Sequence, residues 1–158
     1  MLNQHAAYQG GIKAEQKVIQ ALNATKSTKH QDIHEDIDYT IGGKTYSLKN
    51  QNAALRTGNI AFELTTEQSN GVVEKSWYYN GKADYYHFLI GSELYEVSTS
   101  NIKDYVFMSG FDCKKSLSPN TRKSQKEISH RHVNSVCGLI NATKLMKAGI
   151  LVRIAIVH

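Results

Sequence analysis

The sequence predicts an α/β fold, more closely an α+β arrangement in which an N-terminal helix packs on a mixed β-sheet. Three observations carry this reading. Ile12, Val18, Ile19 and Leu22 recur at helical spacing within residues 11–24. Two β-prone runs, Ile33–Ile41 and Lys44–Lys49, flank Gly42-Gly43, a hairpin signal with a two-residue primed turn. Further β-prone stretches at 59–65, 84–90, 94–98 and 150–157 supply enough strands for a sheet.

In chain order, the helix at 11–24 places Glu15 on its apolar stripe, three residues after Ile12 and four before Ile19. A carboxylate on a core-facing stripe is costly unless a partner compensates it. Residues 25–32 are polar and read as a surface loop. A further helix is expected from about Ser100-Asn101, with Ile102, Tyr105 and Val106 behind it. The run 150–157, ILVRIAIV, is apolar and β-branched and reads as a buried strand. His30 and His34 have the i,i+4 spacing of a helical metal pair, but the Ile33–Ile41 pattern argues for a strand beginning there. His130-Arg131-His132, with Asn134 beside it, lacks the further ligand that a histidine-based nuclease site needs.

With 158 residues, one proline and no repeat, the chain reads as a single domain, 1–158, with a basic loop or arm at about 113–132. No apolar run approaches the ~18 residues of a membrane span. The N-terminus has neither the charged nor the apolar region of a secretory signal, and two cysteines make no disulfide framework, so the cytoplasm is the expected compartment. Charge divides the chain. Residues 1–112 carry 10 Lys+Arg against 13 Asp+Glu, a net of −3, whereas 113–158 carry 9 against 1, a net of +8. A polyanion partner suits the second part. Lys114, Lys115, Arg122, Lys123, Lys126 and Arg131 give six potential phosphate contacts.

Pairing the hairpin across Gly42-Gly43 sets Ile41 opposite Lys44. The same register sets Asp38 opposite Ser47 and Asp36 opposite Lys49. Side chains alternate along a strand, so Asp36, Asp38, Ser47 and Lys49 are expected on one face, with Gln51 continuing it. Ile37, Tyr39, Tyr46 and Leu48 form the other, apolar face. Hard oxygen ligands at this density suit Mg²⁺ or Mn²⁺, and a lysine beside them suits activation of water. In Thr57-Gly58-Asn59-Ile60-Ala61-Phe62-Glu63-Leu64, Glu63 lies on a strand with an apolar back.

Here the chain resembles the PD-(D/E)XK nuclease superfamily, the fold of many restriction endonucleases and Holliday junction resolvases, and in particular a group of small, often phage-encoded endonucleases. The resemblance covers roughly residues 10–106. It rests on the order helix-Glu, Asp, Gly-Gly, x-x-Lys and Thr-Gly-Asn…Glu, followed by Lys82-Ala83-Asp84-Tyr85-Tyr86 and Leu94-Tyr95-Glu96-Val97. It implies a restriction-endonuclease-like core. It also implies a Mg²⁺-dependent DNA endonuclease, with Mn²⁺ as a substitute, that hydrolyses phosphodiester bonds in double-stranded or branched DNA. The expected working unit is a homodimer in a bacterial or phage-infected cell. By this resemblance Asp36 is the metal-binding aspartate, with Asp38 a close second, Lys49 is the motif lysine and Glu15 is the acid of the first helix. Gln51 is the residue that would position a phosphate oxygen. The departure is Ser47, where the family usually has Asp or Glu; Glu63 is the acid that would replace it as a metal ligand. A non-catalytic DNA-binding protein on a degenerate nuclease fold, and a nuclease directed at RNA, are the alternatives.

Overall fold

Gly42 and Gly43 both adopt positive φ (55° and 79°), the backbone of a primed turn that L side chains disfavour. The turn joins β2 (Tyr39–Ile41) to β3 (Lys44–Asn50) in the expected register, with Ile41 opposite Lys44 and Tyr39 opposite Tyr46. The computed structural model describes residues 4–117 and 132–158, and around this hairpin they form a mixed α/β fold with two sheets.

The larger sheet is built from β1 (Thr25–Lys26), the hairpin, β6 (Tyr85–Ile90), β7 (Glu93–Ser98) and β10 (Val152–Ile156). Its strand order is β1-β2-β3-β6-β7-β10. β6 runs parallel to β3, and the other pairings are antiparallel. Helix α1 (Gln4–Leu22) covers one face, where Val18 packs with Tyr39, Tyr46, Leu94 and Val157. The opposite face of β6, with Tyr86, Phe88 and Ile90, meets Ile60, Phe62 and Leu64 of β4 (Asn59–Gln68). β4 belongs to the second sheet, ordered β5-β4-β9-β8, with β5 (Val73–Lys75), β8 (Cys113–Leu117) and β9 (His132–Asn141). The layers are therefore helix, sheet, sheet. β6, covered on both faces, is almost wholly apolar, as a central strand should be. Short helices α2 (Ala54–Thr57), α3 (Trp77–Asn80) and α5 (Ala142–Lys147) link the sheets. Helix α4 (Thr99–Ser109) begins where expected, capped by Ser98.

Several sequence expectations need correction. The strand expected over 33–41 exists only as Tyr39–Ile41. Residues Gln31–Glu35 instead form a π-helical turn ending at Asp36 in the left-handed region, and Ile33 is exposed. Residues 25–26, expected in a loop, add a short edge strand. Within the stretch expected to be a loop, Cys113–Leu117 and His132 onward are paired strands. The apolar run at the C-terminus is an edge strand, not a buried one: Val152, Ile154 and Ile156 are exposed.

On the helix side of the large sheet, the fully buried His87 bridges Tyr39 Oη (2.6 Å to Nδ1) and Glu96 Oε1 (3.1 Å from Nε2). Burial pushes the histidine pKa below its ordinary value, against the opposing pull of Glu96. A neutral ring that accepts from Tyr39 and donates to Glu96 satisfies both ring nitrogens and the Tyr39 hydroxyl. Tyr39→Phe would leave Nδ1 buried without its donor. The expected loss is about 1–3 kcal/mol of unfolding free energy, read from urea melts. An unchanged midpoint and slope would show that the hydroxyl contributes nothing.

Candidate active site

Asp36 is placed by backbone geometry rather than by a strand. It ends the π-helical turn at φ 54°, ψ 47°, and its N–H donates to Gln31 O. Aspartate tolerates this region better than most residues, yet it remains an uncommon conformation for a non-glycine. The turn is anchored on both sides. Lys82 N–H donates to Glu35 O (2.9 Å), and Ser27 Oγ donates to Ile37 O (2.5 Å).

The Asp36 carboxylate meets two residues of β3. Lys49 Nζ donates to Oδ1 at 2.6 Å and Ser47 Oγ donates to Oδ2 at 3.0 Å. Ser47 is fully buried, and the Lys49 and Asp36 side chains keep 18% and 29% exposure, so water still reaches the pair. The π-helical turn and β3 thus bring Asp36, Ser47 and Lys49 together. Ser47, two residues before the lysine, is a hydrogen-bond donor to Asp36, and Lys49 compensates the carboxylate charge.

The other predicted residues are elsewhere. Asp38 was expected to share the face of Asp36. Its Oδ2 instead accepts from Leu48 N–H at 2.6 Å, and it lines a cavity of about 450 Å³ beside α1. Glu15 and Asp32 line the same cavity, and Glu15 pairs with Lys26 at 3.4 Å. Glu63 accepts from the hydroxyls of Ser76 and Ser135. Gln51 is buried and its amide is taken up by the backbone of Ala61. Nε2 donates to Ala61 O (2.8 Å) and Oε1 accepts from Ala61 N–H (3.1 Å), which ties the end of β3 to β4. His30 and His34 lie in helical backbone after all, with ring centroids 4.8 Å apart.

Among the described residues, no group of three or more His, Cys, Asp or Glu side chains could hold a metal ion. Asp36, Asp38 and Glu63 therefore do not form the expected three-carboxylate set. The donors gathered at Lys49 are one carboxylate and one hydroxyl, which do not fit Mg²⁺ or Mn²⁺ by themselves. Lys114 and Lys115 are exposed on β8, the edge of the second sheet. Arg122, Lys123, Lys126 and Arg131, with His130, lie outside the described residues. No helix among the described residues is long and apolar enough to cross a membrane.

Burial is the largest influence on Asp38 and raises its pKa to about 6, with Asp36 and Glu15 adding to it and the Leu48 N–H and Lys49 opposing it. A folded pKa above the ordinary 3.8 means that the folded protein binds this proton more tightly than the unfolded chain. The stabilisation is complete below about pH 4 and is lost as pH rises through about 6. Asp38→Asn keeps an acceptor for Leu48 N–H without the charge. It should raise stability by about 1–2 kcal/mol at pH 7.5 and by nothing at pH 4. Melts of both proteins at the two pH values test this, and a gain independent of pH would refute it.

Three residues of the site escaped sequence reasoning: Ser76, Trp77 and Gly81, on and around α3. The only available signal was that Trp77 is the one tryptophan of the chain. Comparison with family models, curated proteins and solved structures finds no match for this chain.

Proposed function

We propose that the protein is a DNA endonuclease that hydrolyses phosphodiester bonds at the Asp36–Lys49 pair and grips the DNA backbone through its basic C-terminal third. The observation that carries this reading is the 2.6 Å contact of Lys49 with Asp36, next to Ser47, which gathers an acid, a hydroxyl and a lysine at one partly exposed point. A lysine ammonium can stabilise charge that builds on a phosphate, and a carboxylate beside it can orient the attacking water. The net +8 of residues 113–158, including exposed Lys114 and Lys115, supplies the attraction for a polyanion. Cutting both strands takes two such sites, hence a homodimer, acting in the cytoplasm of a bacterial or phage-infected cell.

The test incubates the protein with supercoiled plasmid, branched DNA and RNA, each with Mg²⁺, with Mn²⁺ and with EDTA. Nicked or linear plasmid, or cut branches, is the expected result, and the EDTA arm measures whether a metal is required. Cutting of RNA alone would redirect the reading to an RNA nuclease. One specific observation favours a second reading, a DNA-binding protein without catalysis. Ser47 stands where an acid is expected, and Lys49 already neutralises Asp36. Salt-sensitive DNA binding with no cleavage under any metal would decide for it.

A further inference from the structure

Lys49 has a second neighbour besides Asp36. Its ammonium lies 5.2 Å from the centroid of the Trp77 ring, so a largely buried cation sits between a carboxylate and an indole. The indole is itself fixed, edge to face with Tyr86 at 5.0 Å. Trp77 opens α3, and the residues flanking that turn reach two acids of the predicted site, Glu63 and Asp36. Ser76 donates to Glu63. Gly81 lies so close that a Cβ there would come 2.7 Å from Trp77 O and 3.3 Å from Asp36 Oδ2. A six-residue stretch therefore touches Glu63, Lys49 and Asp36.

We propose that Trp77 is a positioning residue, whose indole holds the Lys49 ammonium against Asp36 and so fixes the lysine in the candidate active site. A lysine carries its charge on a flexible four-carbon stem and would otherwise turn toward water. The negative face of the indole attracts the ammonium, most strongly where water is excluded. The inference rests on the proposed role of Lys49, and two independent measurements separate the two ideas.

The first needs no activity. Trp77 is the only tryptophan, so tryptophan emission reports on the surroundings of this one indole, in which Lys49 is the neighbouring cation. Lys49→Met should change the emission maximum or intensity, whereas Lys144→Met, in an exposed pair with Asp112, should not. Identical emission from wild type and Lys49→Met would overturn the proposal whether or not the protein cuts DNA. The second measurement is kinetic. Trp77→Phe keeps an aromatic face and should retain kcat within about threefold, while Trp77→Leu keeps apolar bulk alone and should lose roughly tenfold in kcat at unchanged KM. Equal kcat for the Phe and Leu variants, or a change confined to KM, would also overturn it. If the wild type cuts nothing, the proposed function fails, and the fluorescence comparison still decides the Trp77–Lys49 coupling.

Discussion

Lys49→Ala should lower DNA cleavage by two to three orders of magnitude while leaving DNA affinity within a few-fold of wild type. The magnitude follows from removing a preorganised donor aimed at developing charge, which typically costs about 10²–10³ in kcat. Affinity should survive because the proposed reading places it on the many basic residues of 113–158, and Lys49 lies outside that segment. The truncation also removes one of the two side-chain donors, Lys49 and Ser47, that meet the Asp36 carboxylate among the described residues, so some stability is lost as well. Lys49→Met, which retains the stem's packing, separates the two effects. If the alanine variant is inactive because it unfolds, the methionine variant should be folded and still inactive. Plasmid nicking assays and gel-shift titrations on the same preparations measure both halves. Full activity in either variant would move the chemistry away from this hairpin.

The hairpin itself was legible because its determinants are local. Two glycines in a row fix the turn, the turn fixes the register, and the register brings Tyr39 opposite Tyr46. What precedes the hairpin was not legible. The alternation of IHEDIDYTI is compatible with a strand, but the chain there is held by tertiary hydrogen bonds, Lys82 N–H to Glu35 O and Ser27 Oγ to Ile37 O. Those bonds hold a turn that puts Asp36 at positive φ, so the face that simple alternation assigns to Asp36 and Asp38 does not apply. Asp36 reaches Lys49 from outside the ladder, and Asp38 turns to the cavity beside α1.

The second sheet was hidden for a different reason. β8, with Lys114, Lys115 and Ser116, has no apolar period, and it exists because β9 pairs with it from Leu117↔Ser135 to Cys113↔Leu139. Gly138 of β9 is needed for the same packing, since a Cβ there would meet the Phe111 ring at 2.4 Å. The C-terminal run failed in the opposite direction. Its composition suits burial, but its position at the sheet edge leaves Val152, Ile154 and Ile156 exposed, and no local pattern distinguishes an edge strand of this kind from a central one. Composition predicts what a strand can tolerate; topology decides what it meets.

Ser47→Asp should be the most informative substitution, and its effect on stability should depend on divalent cations. Ser47 is fully buried, and its hydroxyl donates to Asp36 Oδ2 at 3.0 Å. An aspartate there puts a second carboxylate against the first, with Lys49 as the nearest cation. Two acids at that separation resist joint ionisation, and a buried charge left uncompensated typically costs about 3–5 kcal/mol. In EDTA the variant should therefore melt well below wild type. A divalent cation would relieve the repulsion, because two carboxylates and their neighbouring oxygens supply the hard anionic donors that wild type lacks. At a cation concentration about a hundredfold above Kd, binding to the folded state alone restores about 2.7 kcal/mol. Wild type should show no comparable shift with Mg²⁺ or Mn²⁺, since Asp36 there meets a hydroxyl and an ammonium and no second carboxylate. Cleavage then separates the two functional readings. An endonuclease that works with Ser47 in place should gain little from the aspartate, whereas a protein that lost cutting with the acid should be inert as wild type and gain activity in the variant. A Ser47→Asp protein as stable as wild type in EDTA, and indifferent to both metals, would mean that position 47 faces neither Asp36 nor a latent cation site, and the hairpin would lose its claim to the chemistry.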